Sequence, residues 1–283
     1  MNTFKTALLL TALTLLLLFG GQLIGGQRGM TFALAIAVVM NGIAYFFSDK
    51  IALSMSGAKP VSREEAPRLY QIMDRLCGLA SLPMPKLYLI PEAAPNAFAT
   101  GRNPQNASVA VTAGLLQVMT DEEIEGVLAH ELSHVRNYDI LTASVAATIA
   151  GAITHLAFMG RFAMIFGGGS RDDDRGGGGL SALLMLFLAP LAATFVQLAI
   201  SRQREFAADA SAAQIVGHPF GLIRALEKLG AYNKRIPMET DPSTSSLYIV
   251  APLSAGSIFA SAFSTHPPLE KRIAALQNMV VTR

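Results

Sequence analysis

The chain has 283 residues, 52% of them hydrophobic and only 15% charged, and its 22 basic and 20 acidic side chains leave a formal charge of +2. Soluble domains average about 25% charged residues, so this composition and a mean hydropathy of +0.42 leave either a membrane protein or a soluble one with unusually large apolar faces. A single cysteine, Cys77, excludes a disulfide scaffold, and so small and scattered a charge gives no reason to expect a nucleic-acid partner.

Residues 6–24 and 30–48 are two uncharged runs, bounded by Lys5, Arg28, Asp49 and Lys50. Each is roughly 28 Å long as a helix, enough to cross a hydrocarbon core. The short Gly-rich link between them predicts a hairpin over residues 1–50. A cleaved signal peptide is the alternative for the first run. It is disfavoured by the length of the run, the missing Ala-x-Ala site and the second span that follows at once.

Residues 51–139 read as the first part of an α+β, mostly helical catalytic domain. Ser62-Arg63-Glu64-Glu65 predicts a capping box opening a helix with Leu69, Ile72, Met73, Leu76 and Leu79 on its apolar face. Short strands are expected at 87–90 and 107–111, with a third at 96–99. A second capping box, Thr120 to Glu123, starts a helix that carries His130-Glu131-Leu132-Ser133-His134. Histidines at i and i+4 stand on one helix face, so both imidazoles can reach one metal ion. The intervening glutamate can take a proton from a metal-bound water. The rival reading is two helical histidines in ordinary hydrogen bonds.

Residues 140–160 and 180–200 form a second, weaker apolar pair around a Gly- and Asp-rich loop at 167–179. This hairpin, 140–200, is read as crossing the membrane, with a dip into the lipid as the alternative. The remaining stretch, 201–283, is the second part of the catalytic domain, with helices expected at 202–216, 219–230 and 268–278. If all four runs cross, eighteen of the 22 basic residues share one side, including Lys5, Lys50, Lys59, Arg136, Arg202 and Arg204. The positive-inside rule makes that side cytoplasmic, and the lone cysteine agrees with a reducing compartment.

A catalytic zinc site needs a third protein ligand and an open position for water. A third histidine at the short spacing is absent, because Ile140 stands there. Glu205, at the mouth of the fourth run, is the expected third ligand, and Asp209 one turn later can orient a ligand histidine through its other ring nitrogen. Surface ion pairs with Arg202 and Arg204 are the alternative for both. His266 stays open between a hydrogen-bond donor to the transition-state oxyanion and a rigid turn before two prolines. Arg272 is a candidate partner of Asp209 or Glu205. His155 and His218 are read as a helix-packing group and a helix-start loop residue. Strands at Asn96 to Gly101, with Asn96, Ala97 and Phe98 foremost, or at Ala107 to Val111 are candidate edges for an extended substrate.

The HExxH run at 130–134, Glu205-x-x-x-Asp209, the stretch Asn96 to Gly101 and Thr265-His266-Pro267-Pro268 together resemble the HtpX family of bacterial membrane zinc metalloproteases, relatives of the CAAX prenyl endopeptidases. The resemblance spans nearly the whole chain. It implies a membrane-anchored, gluzincin-like zincin domain with one Zn²⁺ held by His130, His134 and Glu205, and with Glu131 as catalytic base. It further implies a stress-linked endopeptidase of the bacterial inner membrane, acting on damaged membrane proteins, with the bilayer and those substrates as its partners. A metal-holding scaffold without activity is the alternative, which retention of Glu131 disfavours.

Overall fold

The computed structural model describes residues 2–166, 201–235, 238, 244–250 and 266–279. The N-terminal helix α1 (Asn2–Met55) is broken at Gly25 and Gly26, where Gly26 takes a φ of 56°, a left-handed conformation that glycine adopts without steric cost. The chain reverses there. Thr14 accepts a 2.8 Å hydrogen bond from the Asn41 side chain, and a Cβ on Gly21 would lie 2.5 Å from that of Ala33. The two arms, Phe4–Gln22 and Gly25–Met55, are each long and apolar enough to cross a bilayer. Their outward faces carry exposed Phe4, Leu15, Phe19, Phe32, Val38 and Val39. The second arm runs to Met55, past the charged Asp49 and Lys50 that close its apolar segment.

A four-stranded sheet follows, in the order β1-β2-β4-β3. The short β1 (Lys59–Pro60) pairs antiparallel with β2 (Lys86–Ile90), which runs parallel to β4 (Ala107–Thr112), and β3 (Ala97–Gly101) closes the far edge antiparallel to β4. This corrects one expectation: Ala107 to Val111 is no exposed edge, because β4 is paired on both sides. All six of its residues are buried.

Between β1 and β2 lies α2 (Pro67–Ala80). The Ser62 and Glu65 side chains do exchange capping hydrogen bonds with backbone N–H groups, but they close a turn and not the helix. A residue before proline is pushed out of the α region, so Ala66 sits at φ −134° and the helix starts at Pro67. Leu69, Ile72, Met73 and Leu76 are buried as the periodicity predicts, whereas Leu79 is 57% exposed. After β4 comes a short α3 (Ala113–Val118), then α4 (Asp121–Arg136), where Thr120 and Glu123 form the complete capping box.

The centre of the domain is α4. Ile124, Val127, Leu128, Leu132 and Val135 enter the main core with the sheet and α2, and two later helices, α6 (Arg202–Val216) and α7 (Phe220–Arg235), flank it. Contact with α7 is close because two facing positions lack side chains. A Cβ on Gly126 would lie 2.5 Å from the Leu222 nitrogen, and one on Gly221 would lie 2.1 Å from the Glu122 carbonyl oxygen. Two acids of α4 are drawn inside with it. Glu123 is paired with Lys228 at 2.7 Å and Glu125 with Arg75 at 2.5 Å, so neither charge is buried alone.

After α4 the chain turns through Tyr138, at φ 58°, into α5 (Asp139–Phe166). α5 packs on both arms of α1 through Leu9, Leu13, Ala44, Val145, Ile149 and Ile153. Thr6 and Thr142 meet across that contact at 2.9 Å. The run 180–200 and the loop 167–179 lie outside the described residues. The last described helix, α8 (Leu269–Gln277), packs against α6 and α7. α7 starts one residue later than the expected 219–230 and runs five residues past its expected end.

Candidate metal centre

Three elements far apart in sequence meet below β3. On α4, one turn separates His130 from His134, and their Nε2 atoms lie 3.2 Å apart. Glu205, in the first turn of α6, faces both: Oε2 is 3.6 Å from His130 Nε2, and Oε1 is 3.5 Å from His134 Nε2. The ligand-type atoms of these three residues all lie within 4.8 Å of one another. Two imidazoles and a carboxylate are a donor set that suits a divalent transition metal.

The outward ring nitrogens are also occupied. His130 Nδ1 is 2.9 Å from Asp209, and His134 Nδ1 is 3.1 Å from Asp139. Each histidine thus has one face toward the cluster and the other on a carboxylate, which fixes the ring and makes the inner nitrogen more basic. Asp139 in turn accepts a 2.9 Å bond from Arg204. Its orienting position was not drawn from the sequence. The signal was its place just past the helix end, since the left-handed Tyr138 swings residue 139 back onto the ring five positions earlier.

Beneath the cluster lies Arg272 of α8, entirely buried. Its Nε and Nη2 grip both oxygens of Asp209 at 2.8 and 2.7 Å, and its Nη1 donates to the Ile249 carbonyl oxygen at 2.8 Å. Removing one partner from such a buried pair typically costs about 3–5 kcal/mol. His266 places Nδ1 3.0 Å from Glu205 Oε2 and Nε2 3.3 Å from the Ser246 carbonyl oxygen. His218 stands apart, beside Glu122 and stacked on Phe220, and His155 falls within α5.

Electrostatics separate the two glutamates. Burial would raise the Glu205 carboxyl, but His266, His130 and His134 outweigh it and hold it well below the usual carboxylate range. Glu131 moves the other way: burial pushes it up, aided by Glu205 and opposed by the two histidines and the Ala99 N–H. His130 feels burial against its charge, yet Asp209 and Glu205 push its pKa up to about 9. The environment therefore favours a charged carboxylate at Glu205 and a more basic one at Glu131.

Glu131 Oε1 is buried with no hydrogen-bond partner among the described residues, an expensive arrangement unless something polar meets it. It lines a cavity of about 40 Å³ together with His130, His134, Glu205 and His266. A water needs roughly 10–15 Å³, so the space suits a metal ion and a small ligand. Ser246 to Ile249 also line this cavity. The neighbouring strand positions are already engaged. Ala97 accepts a bond from the Ile249 N–H at 3.0 Å, the Asn96 amide donates to the Val250 carbonyl oxygen at 2.8 Å, and the fully buried Phe98 packs edge-on against Tyr248.

A hydrolytic metal centre on a helical domain that carries two long apolar helices defines a class, the membrane-associated metalloproteases. Comparison with known proteins narrows it. A model of peptidase family M48 matches residues 63–280, and the chain belongs to that family. It is 57% identical over 276 residues to a protease HtpX homolog of Desulfatibacillum aliphaticivorans, covering 97% of this chain and 89% of that one. It is 52% identical over 279 residues to another from Thermodesulfovibrio yellowstonii, covering 99% of each. The crystal structure of S. mikatae Ste24p shares the fold, with a TM-score of 0.53 at 22% identity. That alignment covers 97% of this chain, which spans 65% of the length of that structure.

Proposed function

We propose that this protein is a zinc-dependent endopeptidase of the bacterial cytoplasmic membrane that hydrolyses peptide bonds in damaged or misfolded membrane proteins. The observation that carries the reading is the convergence of His130, His134 and Glu205 beside Glu131 Oε1, which has no hydrogen-bond partner among the described residues. In it, His130, His134 and Glu205 hold the metal, while Asp209 and Asp139 orient the two imidazoles. Zinc bound there supplies Lewis acidity, lowering the pKa of a water and polarising the scissile carbonyl. Glu131 accepts the proton of the attacking water and returns it to the leaving amine. His266, which lines the same cavity as Glu131, donates to the oxygen that gains charge in the transition state. An extended substrate adds along the edge of β3 at Ala99, whose N–H faces Glu131, since Ala97 is already engaged by Ile249.

The test is cleavage of a membrane-protein substrate by the purified full chain in detergent. Activity is expected to vanish with a chelator and return with zinc. Cleavage that survives complete removal of metal would end the reading.

Both apolar pairs are assigned as membrane hairpins with the catalytic domain in the cytoplasm. Reporter fusions at Gly26 and Gly177 are expected to read periplasmic, and those at Pro60 and Arg283 cytoplasmic. A cytoplasmic signal at Gly177 from a well-expressed fusion would show that the second hairpin does not cross.

A further inference from the structure

Away from the metal centre, a second hollow of about 520 Å³ opens where the second arm of α1 meets the sheet. One wall is apolar: Phe46 and Phe47 end the uncharged segment and are 55% and 48% exposed. The other wall is basic, formed by Lys50 one turn further along the helix, Lys86 at the start of β2 and Arg102 just after β3. Asp49 is the one carboxylate in the lining among the described residues, so there three cations face one anion. None of the three is within ion-pair distance of a carboxylate among the described residues. Lys50 and Arg102 instead rest over the Phe47 and Phe46 rings, at 5.2 and 5.7 Å.

Arg102 is held in place by a built turn. Gly101, at φ 134°, has no room for a side chain, since a Cβ there would lie 2.3 Å from the Asn106 carbonyl oxygen. Asn103 closes the same turn by accepting bonds from the Asn106 backbone and side chain at 3.0 and 2.8 Å. On the opposite side, the register places Lys86 beside Ser108 of β4, whose hydroxyl adds a neutral donor to the lining.

We infer that this hollow seats the phosphate headgroup of an anionic phospholipid, with Lys50, Lys86 and Arg102 around the phosphate and Phe46 and Phe47 against the start of the acyl chains. The inference rests on the membrane placement of α1 proposed above. A soluble anion needs no aromatic wall, and a neutral hydrocarbon needs no cluster of cations. The Phe46 and Phe47 rings, having no polar group, suit the acyl chains, and basic side chains at the membrane surface attract anionic lipid. Both demands meet here at the residue where the apolar run stops.

The experiment is lipid titration of the detergent-solubilised full chain, read by native mass spectrometry as bound phosphatidylglycerol or phosphatidylcholine. Phosphatidylglycerol is expected to bind in preference to phosphatidylcholine, and inorganic phosphate not to displace it. Lys86→Gln and Arg102→Gln should each weaken binding roughly fivefold and the pair about twenty-fivefold, while Lys271→Gln on α8 leaves it unchanged. Wild-type affinity in the double variant, equal binding of both lipids, or an equal loss in Lys271→Gln would overturn the proposal. Displacement by inorganic phosphate alone would assign the hollow to a soluble anion instead. Insertion into phosphatidylcholine vesicles is scored separately, so failure of the membrane placement is distinguishable from failure of the site.

Discussion

Glu131→Gln is expected to lower peptide cleavage by about 10²- to 10⁴-fold while metal content and membrane insertion stay at wild-type levels. The glutamine keeps the volume and hydrogen-bonding reach of the side chain and removes only its capacity to take a proton. Nothing in the packing opposes the change, because burial already disfavours charge at this position and a neutral amide is less costly there than a carboxylate. Metal content should hold because the converging donor atoms come from His130, His134 and Glu205. A variant that cleaves at a near wild-type rate would remove Glu131 from the proton-transfer role. A wild-type protein that is inert with a full metal complement on several unfolded membrane proteins would favour the scaffold reading.

Glu205→Ala behaves differently: metal and activity should fall together. Loss of an outer partner of a metal ligand typically costs 10–100-fold in affinity, and loss of a ligand should cost at least that. Asp209→Asn and Asp139→Asn provide the comparison, each expected within that smaller range. Removing the Glu205 carboxylate also takes away the anion facing His130, His134, His266 and Arg272. The apo variant is therefore expected to lose stability as well, which thermal unfolding in chelator would measure. Affinity for the metal should weaken in acid in every variant, since an imidazole must be neutral to bind. Stoichiometric metal in Glu205→Ala would exclude Glu205 from the ligand set.

Much of this layout is legible in the sequence because it is written in local rules. The Thr120 box, the i to i+4 histidines and the apolar spacing of α2 depend on a few adjacent residues. The limits of local reading show at Ser62, where the box forms but Pro67 decides where the helix begins, and at Leu79, whose periodicity is right but whose neighbours leave it exposed. Strand pairing is beyond reach of such rules. Nothing local distinguishes Ala107 to Val111, paired on both sides, from Ala97 to Gly101 at the edge. The placing of Asp139 and of the Ile249 bond to Ala97 depends on how a turn at Tyr138 and a distant segment come to rest on other elements. Arg272 could be singled out beside Asp209, but its complete burial follows only from the packing of α8.

The centre is built from parts that lie far apart along the chain. Arg272 and His130 approach each other across 142 positions of sequence, and His266 reaches the cluster only shortly before it along the chain. During synthesis, the helices of α1 and the HExxH segment emerge long before these last contributors. A ribosome-bound chain can therefore seat its apolar segments in the bilayer while its hydrolytic machinery is still unassembled.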